Sequence, residues 1–325
     1  MPSALPIASH RPPRGGHEPV LVDEVLRLLT PRSGETIVDC TFGAGGHATR
    51  IAPLLGAEGT YIGIDQDPEA ADWFAAFAEH AGCRTALRAG NFADVLADLN
   101  DEGLRVDMVL MDLGLSSMQI DQPHRGFSYS RQAPLDMRMD PTRAESAADL
   151  VAELDERELA RIIRDYGEER YARPIARAIV RRREQAPITS TGDLVEVVRQ
   201  AVPTPALFAA GHPAKRVFQA LRIAVNHELE VLESGLECAF DLLAPGGRLA
   251  VISFHSLEDR MVKRFMRERS RGCICPPDMP VCGCGRVAEG ELLCGKAQMP
   301  RADEIQHNPR AKPARLRGLR RVNDR

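Results

Sequence analysis

Apolar, strand-like segments alternate with helix-like segments between residues 35 and 114. The strand-like segments are ETIVDC, GTYIGID, RTALRAG and VDMVLMDLG, and the helix-like segments between them are HATRIAPLL, PEAADWFAAFAEH and FADVLADL. Such an alternation is typical of βαβ units, which build a parallel sheet with helices on its faces. VDMVLMDLG is a continuous apolar run ending in Asp112, as expected of a buried parallel strand. The sequence therefore predicts an α/β fold.

The alternation stops in the middle of the chain. From about residue 137 to 217 there are amphipathic helical patterns but no convincing strand. Strand character returns in GRLAVISF, after one long predicted helix, VFQALRIAVNHELEVLESGLECAFDLL, that ends at APGG. We therefore predict an α/β domain of residues 17–136 and 218–325 and an all-helical insertion of residues 137–217. Residues 1–16, rich in Pro, Arg and Gly, are predicted to form a disordered leader.

Composition excludes several classes of protein. No apolar run approaches the roughly 20 residues needed to cross a bilayer, and the N-terminus lacks the apolar core of a signal peptide. We therefore expect a cytoplasmic protein without a membrane partner. The net charge is −4, but residues 260–325 carry 16 Lys and Arg against 7 Asp and Glu. A basic end on an acidic body suggests a polyanionic partner, and a solvated, partly disordered tail explains it equally well.

The segment VDCTFGAGGHATR places glycines between a predicted strand and a predicted helix. Such a turn exposes backbone N–H groups at the positive end of the helix dipole, and so favours a polar ligand. No Lys-Ser/Thr pair follows the glycines, which argues against a nucleoside triphosphate. Gly43, Gly45 and Ala48 fit the dinucleotide spacing, so the turn alone leaves NAD open.

Two acids change the balance between NAD and S-adenosylmethionine. Asp39 precedes the glycines, where a negative charge suits a positive amino or sulfonium group better than a pyrophosphate. Asp65 ends the second strand, where an acid accepts hydrogen bonds from ribose hydroxyls. With Asp112 they should converge at the carboxyl edge of the sheet. This order of residues favours S-adenosylmethionine.

Longer segments carry a resemblance to a known family. HEPVLVDEVLRLL, VDCTFGAGGHATRI, PLDMRMDPTRAESAADL, ISFHSLEDRMVKRF and NPRAKPARLR occur in this order. The chain resembles the bacterial 16S ribosomal RNA cytosine-N4 methyltransferases from about His17 onward. The resemblance implies a Rossmann-like class I methyltransferase sheet with a helical insertion. It also implies S-adenosylmethionine-dependent methylation of the N4 amine of a cytidine in the decoding region of 16S rRNA, within the small ribosomal subunit.

The resemblance also implies which residues bind the methyl donor. They lie in the glycine turn, after the second and third strands, and around the fourth: Gly45, Gly46, His47, Asp65, Phe92, Asp112 and Gln119. From the sequence alone, core packing is an alternative explanation of Phe92. A surface or cap position at the helix start explains His47, and an ordinary surface position explains Gln119, which only the resemblance singles out.

Asp112 is the main candidate for the chemistry, and His255 is a weaker one. An oxygen acceptor on the amine hydrogens helps localise the nitrogen lone pair toward the methyl group, and Asp112 or a carbonyl in DLGLSS is positioned to supply it. His255 lies in ISFHSLEDR, at the end of the strand after APGG. The alternative for that segment is a helix cap, with Ser256 as N-cap and Asp259 three residues later.

The C-terminal quarter contains a cysteine cluster, CICPPDMPVCGC. Cys273, Cys275, Cys282 and Cys284 are a candidate zinc site, but the spacing is not a common C-x2-C motif. Reduced loop thiols or a disulfide pair explain the pattern more simply. From the sequence alone we therefore predict no metal site. The oligomeric state stays open between a monomer and a homodimer.

Two basic segments are candidates for contacts with RNA phosphates. Arg173, Arg177 and Arg181 recur at four-residue spacing, and therefore lie on one helix face. The second segment is the C-terminal NPRAKPARLRGLRR. An NAD-dependent oxidoreductase and a non-enzymatic RNA-binding assembly factor are the competing functions. Asp39 argues against the first, and the full set of cofactor residues argues against the second.

Overall fold

The computed structural model describes residues 19–207, 213–276, 281 and 283–322. The predicted leader lies outside the described residues. Within these residues, seven strands form one sheet: β1 (Thr36–Asp39), β2 (Thr60–Asp65), β3 (Arg84–Ala89), β4 (Val106–Asp112), β5 (Leu243–Ser253), β6 (Gly290–Leu292) and β7 (Arg315–Arg321). The predicted α/β class is confirmed.

The strand order is β3-β2-β1-β4-β5-β7-β6. β1 to β5 pair in parallel, whereas β7 is antiparallel to β5 and to β6. This is the order of a Rossmann-like class I methyltransferase sheet. The chain moves outward from β1 to β3 on one side and then resumes at β4 on the other, so a crevice opens beyond the carboxyl ends of β1 and β4.

Both faces of the sheet are buried. Ile37 and Met108 belong to one hydrophobic core, and their neighbours Val38 and Val109 belong to a second core on the other face. Successive strand residues point to opposite faces, so continuous apolar runs are what a sheet covered on both sides requires. The helices before the insertion are α1 (Val22–Leu29), α2 (Ala48–Leu55), α3 (Ala70–Ala78), α4 (Phe92–Asp101) and the short α5 (Ser117–Asp121).

The insertion has a third core of its own. Its helices are α6 (Ala147–Glu153), α7 (Glu156–Asp165), α8 (Ala172–Arg183), α9 (Thr191–Ala201), α10 (Thr204–Leu207) and α11 (Pro213–Asn226). The buried residues of this core run from Leu135 to Val225. An independent core supports an inserted helical domain. The boundaries at 137 and 217 stay a prediction, and the core extends past both.

The single long helix predicted after the insertion is wrong. The structure has α11 and α12 (Glu228–Leu242), separated by His227, which adopts a left-handed backbone with φ 52°. The preceding Asn226 is buried, and its side chain accepts from Met139 N at 2.7 Å and donates to Met137 O at 2.8 Å. These hydrogen bonds fix the chain direction where the insertion returns to the sheet. α12 then packs on α4.

The solvated, partly disordered tail, which was the alternative explanation of the basic C-terminal end, is wrong for residues 315–321. Residues 315–321 form β7 inside the sheet, with Leu316 and Leu319 fully buried. Arg317 pairs with Asp259 at 2.8 Å, and Arg321 donates to the carbonyl oxygen of Leu243 at 2.8 Å. Neighbouring acids therefore neutralise part of this charge, and carbonyl oxygens accept hydrogen bonds from the buried Arg321. The last helices are α13 (Ser256–Ser270) and α14 (Ala302–His307). No helix among the described residues is long and apolar enough to span a membrane.

Gly318 tests whether β7 is an integral strand. A Cβ atom there would lie 2.5 Å from Leu28 Cδ2, whereas nothing lies within 4 Å of one at the exposed Gly295. We expect Gly318→Val to lower the free energy of unfolding by about 1–3 kcal/mol through overpacking. Gly295→Val is the matched control, with an expected change within about 0.5 kcal/mol. Equal effects of the two substitutions in urea denaturation would contradict this packing.

Candidate cofactor and active site

The glycine turn lies between β1 and α2 and needs residues without side chains. Gly43 and Gly45 have φ values of 55° and 75°, in the left-handed region that glycine favours. A Cβ at Gly45 would lie 3.0 Å from Phe42 Cζ, and one at Gly46 would lie 3.0 Å from Pro19 Cβ. The turn therefore packs closely against Phe42 and Pro19, and its backbone reaches the crevice directly before α2.

The Asp39 side chain turns inward, beneath the glycine turn. Its Oδ2 accepts from the Tyr61 hydroxyl at 2.6 Å, and its Oδ1 accepts from Thr41 N at 3.1 Å. The side chain is buried, and burial raises the pKa of Asp39. These contacts make Asp39 a support beneath the turn. Its distance from solvent argues against the predicted direct contact with a positive group of the ligand.

Asp65 ties the end of β2 to the glycine turn. Its Oδ2 accepts from Gly43 N at 2.8 Å, and its Oδ1 accepts from Asp67 N at 2.9 Å. Burial raises the pKa of Asp65 to about 6. The carboxyl group lies at the carboxyl end of β2, where the sequence predicts an acceptor for ribose hydroxyls.

Gln119 is buried in a polar network that the sequence analysis missed. Its Nε2 donates to Asp67 Oδ2 at 3.0 Å, and Arg125 Nη1 lies 2.9 Å from the same oxygen. Arg125 also donates to the carbonyl oxygens of Arg138 and Met139. The network joins the end of β2, the loop after β4 and the entrance to the insertion. Its sequence signal was the acid two residues after Asp65, in GIDQDP.

Asp112 and His47 face each other across the crevice between β4 and α2. His47 Nε2 lies 3.5 Å from Asp112 Oδ2, and Asp112 N donates to Thr41 Oγ1 at 2.7 Å. Among the described residues, neither His47 Nε2 nor Asp112 Oδ1 has a hydrogen-bond partner, although both atoms are buried. Buried polar atoms are normally satisfied, so these two indicate where a polar ligand binds.

Phe92 begins α4, directly after the N-cap Asn91. Its ring packs on Gly235 of α12, where a Cβ would lie only 2.3 Å from Phe92 Cε2. The residue is half-buried at the carboxyl end of β3. This location is compatible with the predicted contact to adenine, and packing against α12 fixes the ring.

His255 caps α13, so the predicted N-cap, Ser256, is one residue too late. His255 Nδ1 accepts from Glu258 N at 3.4 Å, while Glu258 Oε2 accepts from His255 N at 3.1 Å. Its Nε2 also lies 3.0 Å from Glu258 Oε1. Burial acts to raise the pKa of Glu258, but His255 and then Arg222 outweigh it and hold that pKa below its usual value. These contacts indicate a structural role, and a direct catalytic role for His255 stays a prediction.

Comparison with known proteins identifies the family. The family model described as the MraW methylase family matches residues 14–322. The chain belongs to this family. It is 48% identical over 308 residues to "Ribosomal RNA small subunit methyltransferase H" of Heliobacterium modesticaldum, covering 94% of this chain and 98% of that one. It is 50% identical to proteins of the same name from Symbiobacterium thermophilum and Syntrophotalea carbinolica, covering 93% and 94% of this chain and 96% and 98% of theirs.

Family membership confirms the enzyme class predicted from the resemblance. This MraW-family methylase is an S-adenosylmethionine-dependent RNA methyltransferase, and the NAD-dependent alternative is therefore wrong. The donor set fits the cofactor, because the crevice presents glycine backbone, the Asp65 carboxyl group and the unpaired atoms of His47 and Asp112. The assignment of individual cofactor-binding residues stays a prediction.

The methylase presents an arginine groove on its insertion. Arg173, Arg177 and Arg181 are exposed on one face of α8 and line this groove together with Gln200 and Ala201 of α9. Arg177 lies 3.4 Å from Glu156. The predicted basic face is therefore present. Of the predicted cysteine cluster, the structure brings together Cys273, Cys275 and Cys284, and Cys282 lies outside the described residues.

The raised pKa of Asp65 predicts a pH dependence of cofactor binding. We expect its ionised form to accept the ribose hydrogen bonds, so affinity is lost as the pH falls through about 6. The ionised fraction falls from about nine-tenths at pH 7 to about one-tenth at pH 5, so calorimetry should show the Kd for S-adenosylmethionine rising about tenfold.

Substitutions separate Asp65 from other titrating groups. Asp65→Asn should bind more weakly at pH 7 and lose most of the pH dependence. Asp72→Asn, on the exposed side of α3, should keep the wild-type profile. If Asp65→Asn retained the tenfold change between pH 7 and pH 5, another group would be responsible and this assignment would be wrong.

Proposed function

We propose that this enzyme transfers a methyl group from S-adenosylmethionine to the N4 amine of a cytidine in 16S rRNA, within the small ribosomal subunit. Its relatives, at 47–50% identity, are named small-subunit ribosomal RNA methyltransferases. The observation that carries the choice of an amine is the unpaired, buried Asp112 Oδ1 at the carboxyl end of β4. S-adenosylmethionine, when bound, supplies the electrophilic methyl group.

Asp112 supplies the hydrogen-bond acceptor that the amine needs. The lone pair of a cytosine amine is delocalised into the ring, so the nitrogen is a poor nucleophile. A carboxylate oxygen that accepts an amine hydrogen favours localisation of this lone pair, without prior removal of a proton. The backbone hydrogen bond from Asp112 N to Thr41 Oγ1 and the nearby His47 fix the position of the carboxylate. Fixed alignment of the amine with the methyl group then supplies much of the rate.

Methylation at the cytosine C5 atom has no support in this site. That reaction uses a cysteine thiolate as nucleophile. Cys40 is in the glycine turn, and burial raises the pKa of its thiol well above the usual value, so it stays protonated. Among the described residues, the end of β4 and the loop that follows contain no cysteine.

RNA approaches the crevice from the side of the insertion. The arginine groove on α8 supplies cations for phosphates. A second groove lies between α11 and the start of α13, and the residues that line it include Lys215, Arg216, Ser256 and the acid Glu168. Ser256 lies four residues after Ile252, which pairs with Asp112 across the sheet. The second groove therefore adjoins the reacting edge, and the target base is splayed out of the RNA into that edge. We also place the enzyme in the cytoplasm. A homodimer stays a prediction, which a measurement of the molar mass by light scattering can test.

Asp112 substitutions test the proposed acceptor. We expect Asp112→Ala to reduce kcat for methyl transfer to small ribosomal subunits by about 10²–10⁴, the range of a lost proton-interacting group. Asp112→Asn keeps a carbonyl acceptor and should retain more activity than alanine. The Kd for S-adenosylmethionine, measured in parallel, separates a cofactor contact from an effect on the amine. A kcat of Asp112→Ala within about twofold of wild type would contradict the role.

The arginine groove predicts salt-dependent binding of RNA. Replacing Arg173, Arg177 and Arg181 by alanine should weaken subunit binding and lower the slope of log affinity against log salt by about 2 to 3. The control is the triple alanine variant of Arg32, Arg84 and Arg105, which lie exposed at the amino ends of the strands, opposite the crevice. Equal slopes for the two variants would show that the groove does not contact phosphates.

A further inference from the structure

Three cysteines converge in the segment between α13 and β6. One sulfur atom of each of Cys273, Cys275 and Cys284 lies within 4.8 Å of the others. Cys284 Sγ is 3.8 Å from Cys273 Sγ. Neither the proposed methyl transfer nor the binding of its cofactor uses these residues.

The sulfur separation fits a shared metal ion better than a disulfide. Two thiolates bound to one zinc ion at about 2.3 Å with tetrahedral angles are about 3.8 Å apart, and the observed Cys284–Cys273 distance has this value. A disulfide requires a separation of about 2.05 Å. Cys273 and Cys284 are therefore not joined to each other by a disulfide.

The local backbone supports sulfur atoms that carry charge. Ile274 N donates to Cys284 Sγ at 3.5 Å, and this hydrogen bond stabilises a thiolate. Gly285, directly after Cys284, has φ 60°, which turns the chain back after the last of the three cysteines. Both features place the backbone around the sulfur atoms, although Cys275 and Cys284 are nine residues apart in sequence.

The described residues of this segment form no hydrophobic core that could hold it together. No described residue of 271–289 is buried, and Ile274, Val281 and Val287 are exposed. Yet its ends are anchored, because Glu289 N donates to Arg269 O at 3.0 Å and Arg286 donates to Glu268 O at 2.6 Å. In small segments without a core, metal binding supplies the free energy of folding.

We propose that Cys273, Cys275 and Cys284 bind a zinc ion in a structural site. Thiolate donors select a soft or borderline ion, and zinc is the common choice for a closed site without redox chemistry. Binding releases the thiol protons and holds the segment between α13 and β6 in one conformation. A second cluster of possible metal ligands consists of Glu228, His255 and Glu258. Its Glu228 already forms an ion pair with Arg222 at 2.8 Å, so we do not assign a metal there.

The experiment uses the full-length protein, purified under reducing conditions without chelators. We expect metal analysis to find about one equivalent of zinc, and X-ray absorption to show at least three sulfur atoms at about 2.3 Å. The same spectrum identifies the fourth ligand. Removal of zinc by a chelator should increase amide hydrogen exchange in residues 271–289 and leave the sheet protected.

Serine variants locate the site. Cys273→Ser and Cys284→Ser should each retain less than about 0.2 equivalents of zinc. Cys294→Ser is the matched control, because Cys294 lies in the same C-terminal segment but packs against the first hydrophobic core. Binding of S-adenosylmethionine to each variant verifies that the remainder of the chain is folded.

Three results would overturn the proposal. One is less than about 0.2 equivalents of zinc in the wild-type protein after incubation with zinc under reducing conditions. Another is equal zinc loss in Cys294→Ser and in the cluster variants. The third is a first coordination shell of nitrogen and oxygen only. None of these outcomes bears on methyl transfer, so the two proposals fail independently.

Discussion

The parallel pairing of β1 with both β2 and β4 is the constraint on which the site depends. β1 lies between β2, which leads outward to β3, and β4, which begins the other half of the sheet. The chain continues from β1 to β2 on one side and from β4 to β5 on the other, so a crevice forms at the carboxyl ends of β1 and β4. The glycine turn, Asp65 and Asp112 reach one edge because each follows or ends one of these three strands. In the proposed mechanism, cofactor binding and alignment of the amine both take place at this edge.

A buried ion pair connects this edge to the insertion. The Asp67 side chain is 1% exposed and that of Arg125 is 8% exposed, and the two lie 2.9 Å apart. Gln119 donates to the same Asp67 oxygen, and Arg125 continues to carbonyl groups at the entrance of the insertion. Loss of one partner from such a pair costs about 3–5 kcal/mol, because the other charge is left buried. The crevice edge and the helical insertion are therefore held in a fixed relation by polar contacts as well as by packing.

Much of the fold could be predicted from local sequence patterns. β1 to β4 are short apolar runs between helical segments. Gly43 and Gly45 mark a turn whose backbone conformation would be strained with any other residue. β7 was missed because its alternating arginines resemble a solvated tail, whereas partners such as Asp259, distant in sequence, neutralise them. The break at His227 was missed for a similar reason. Asn226 ends α11 through hydrogen bonds to Met137 and Met139, almost ninety residues away.

The same distinction applies to the site. Asp65 and Asp112 were predicted because a strand end carries local information. The inward turn of Asp39 depends on Tyr61 of the neighbouring strand, and the cap formed by His255 depends on the rotamer of Glu258. The pairing of Asp67 with Arg125 joins segments that no local pattern relates. Local periodicity thus gives the strands and turns, while the direction of each polar side chain is decided by its tertiary partners.

The most direct test of the account is the chemical identity of the product. Small ribosomal subunits that lack the modification would be incubated with the enzyme and S-adenosylmethionine carrying a deuterated methyl group, and the 16S rRNA nucleosides would be analysed by mass spectrometry. The account predicts the deuterated methyl group on the N4 atom of cytidine. Label on cytidine C5 or on a ribose hydroxyl, or no label in 16S rRNA, would contradict it.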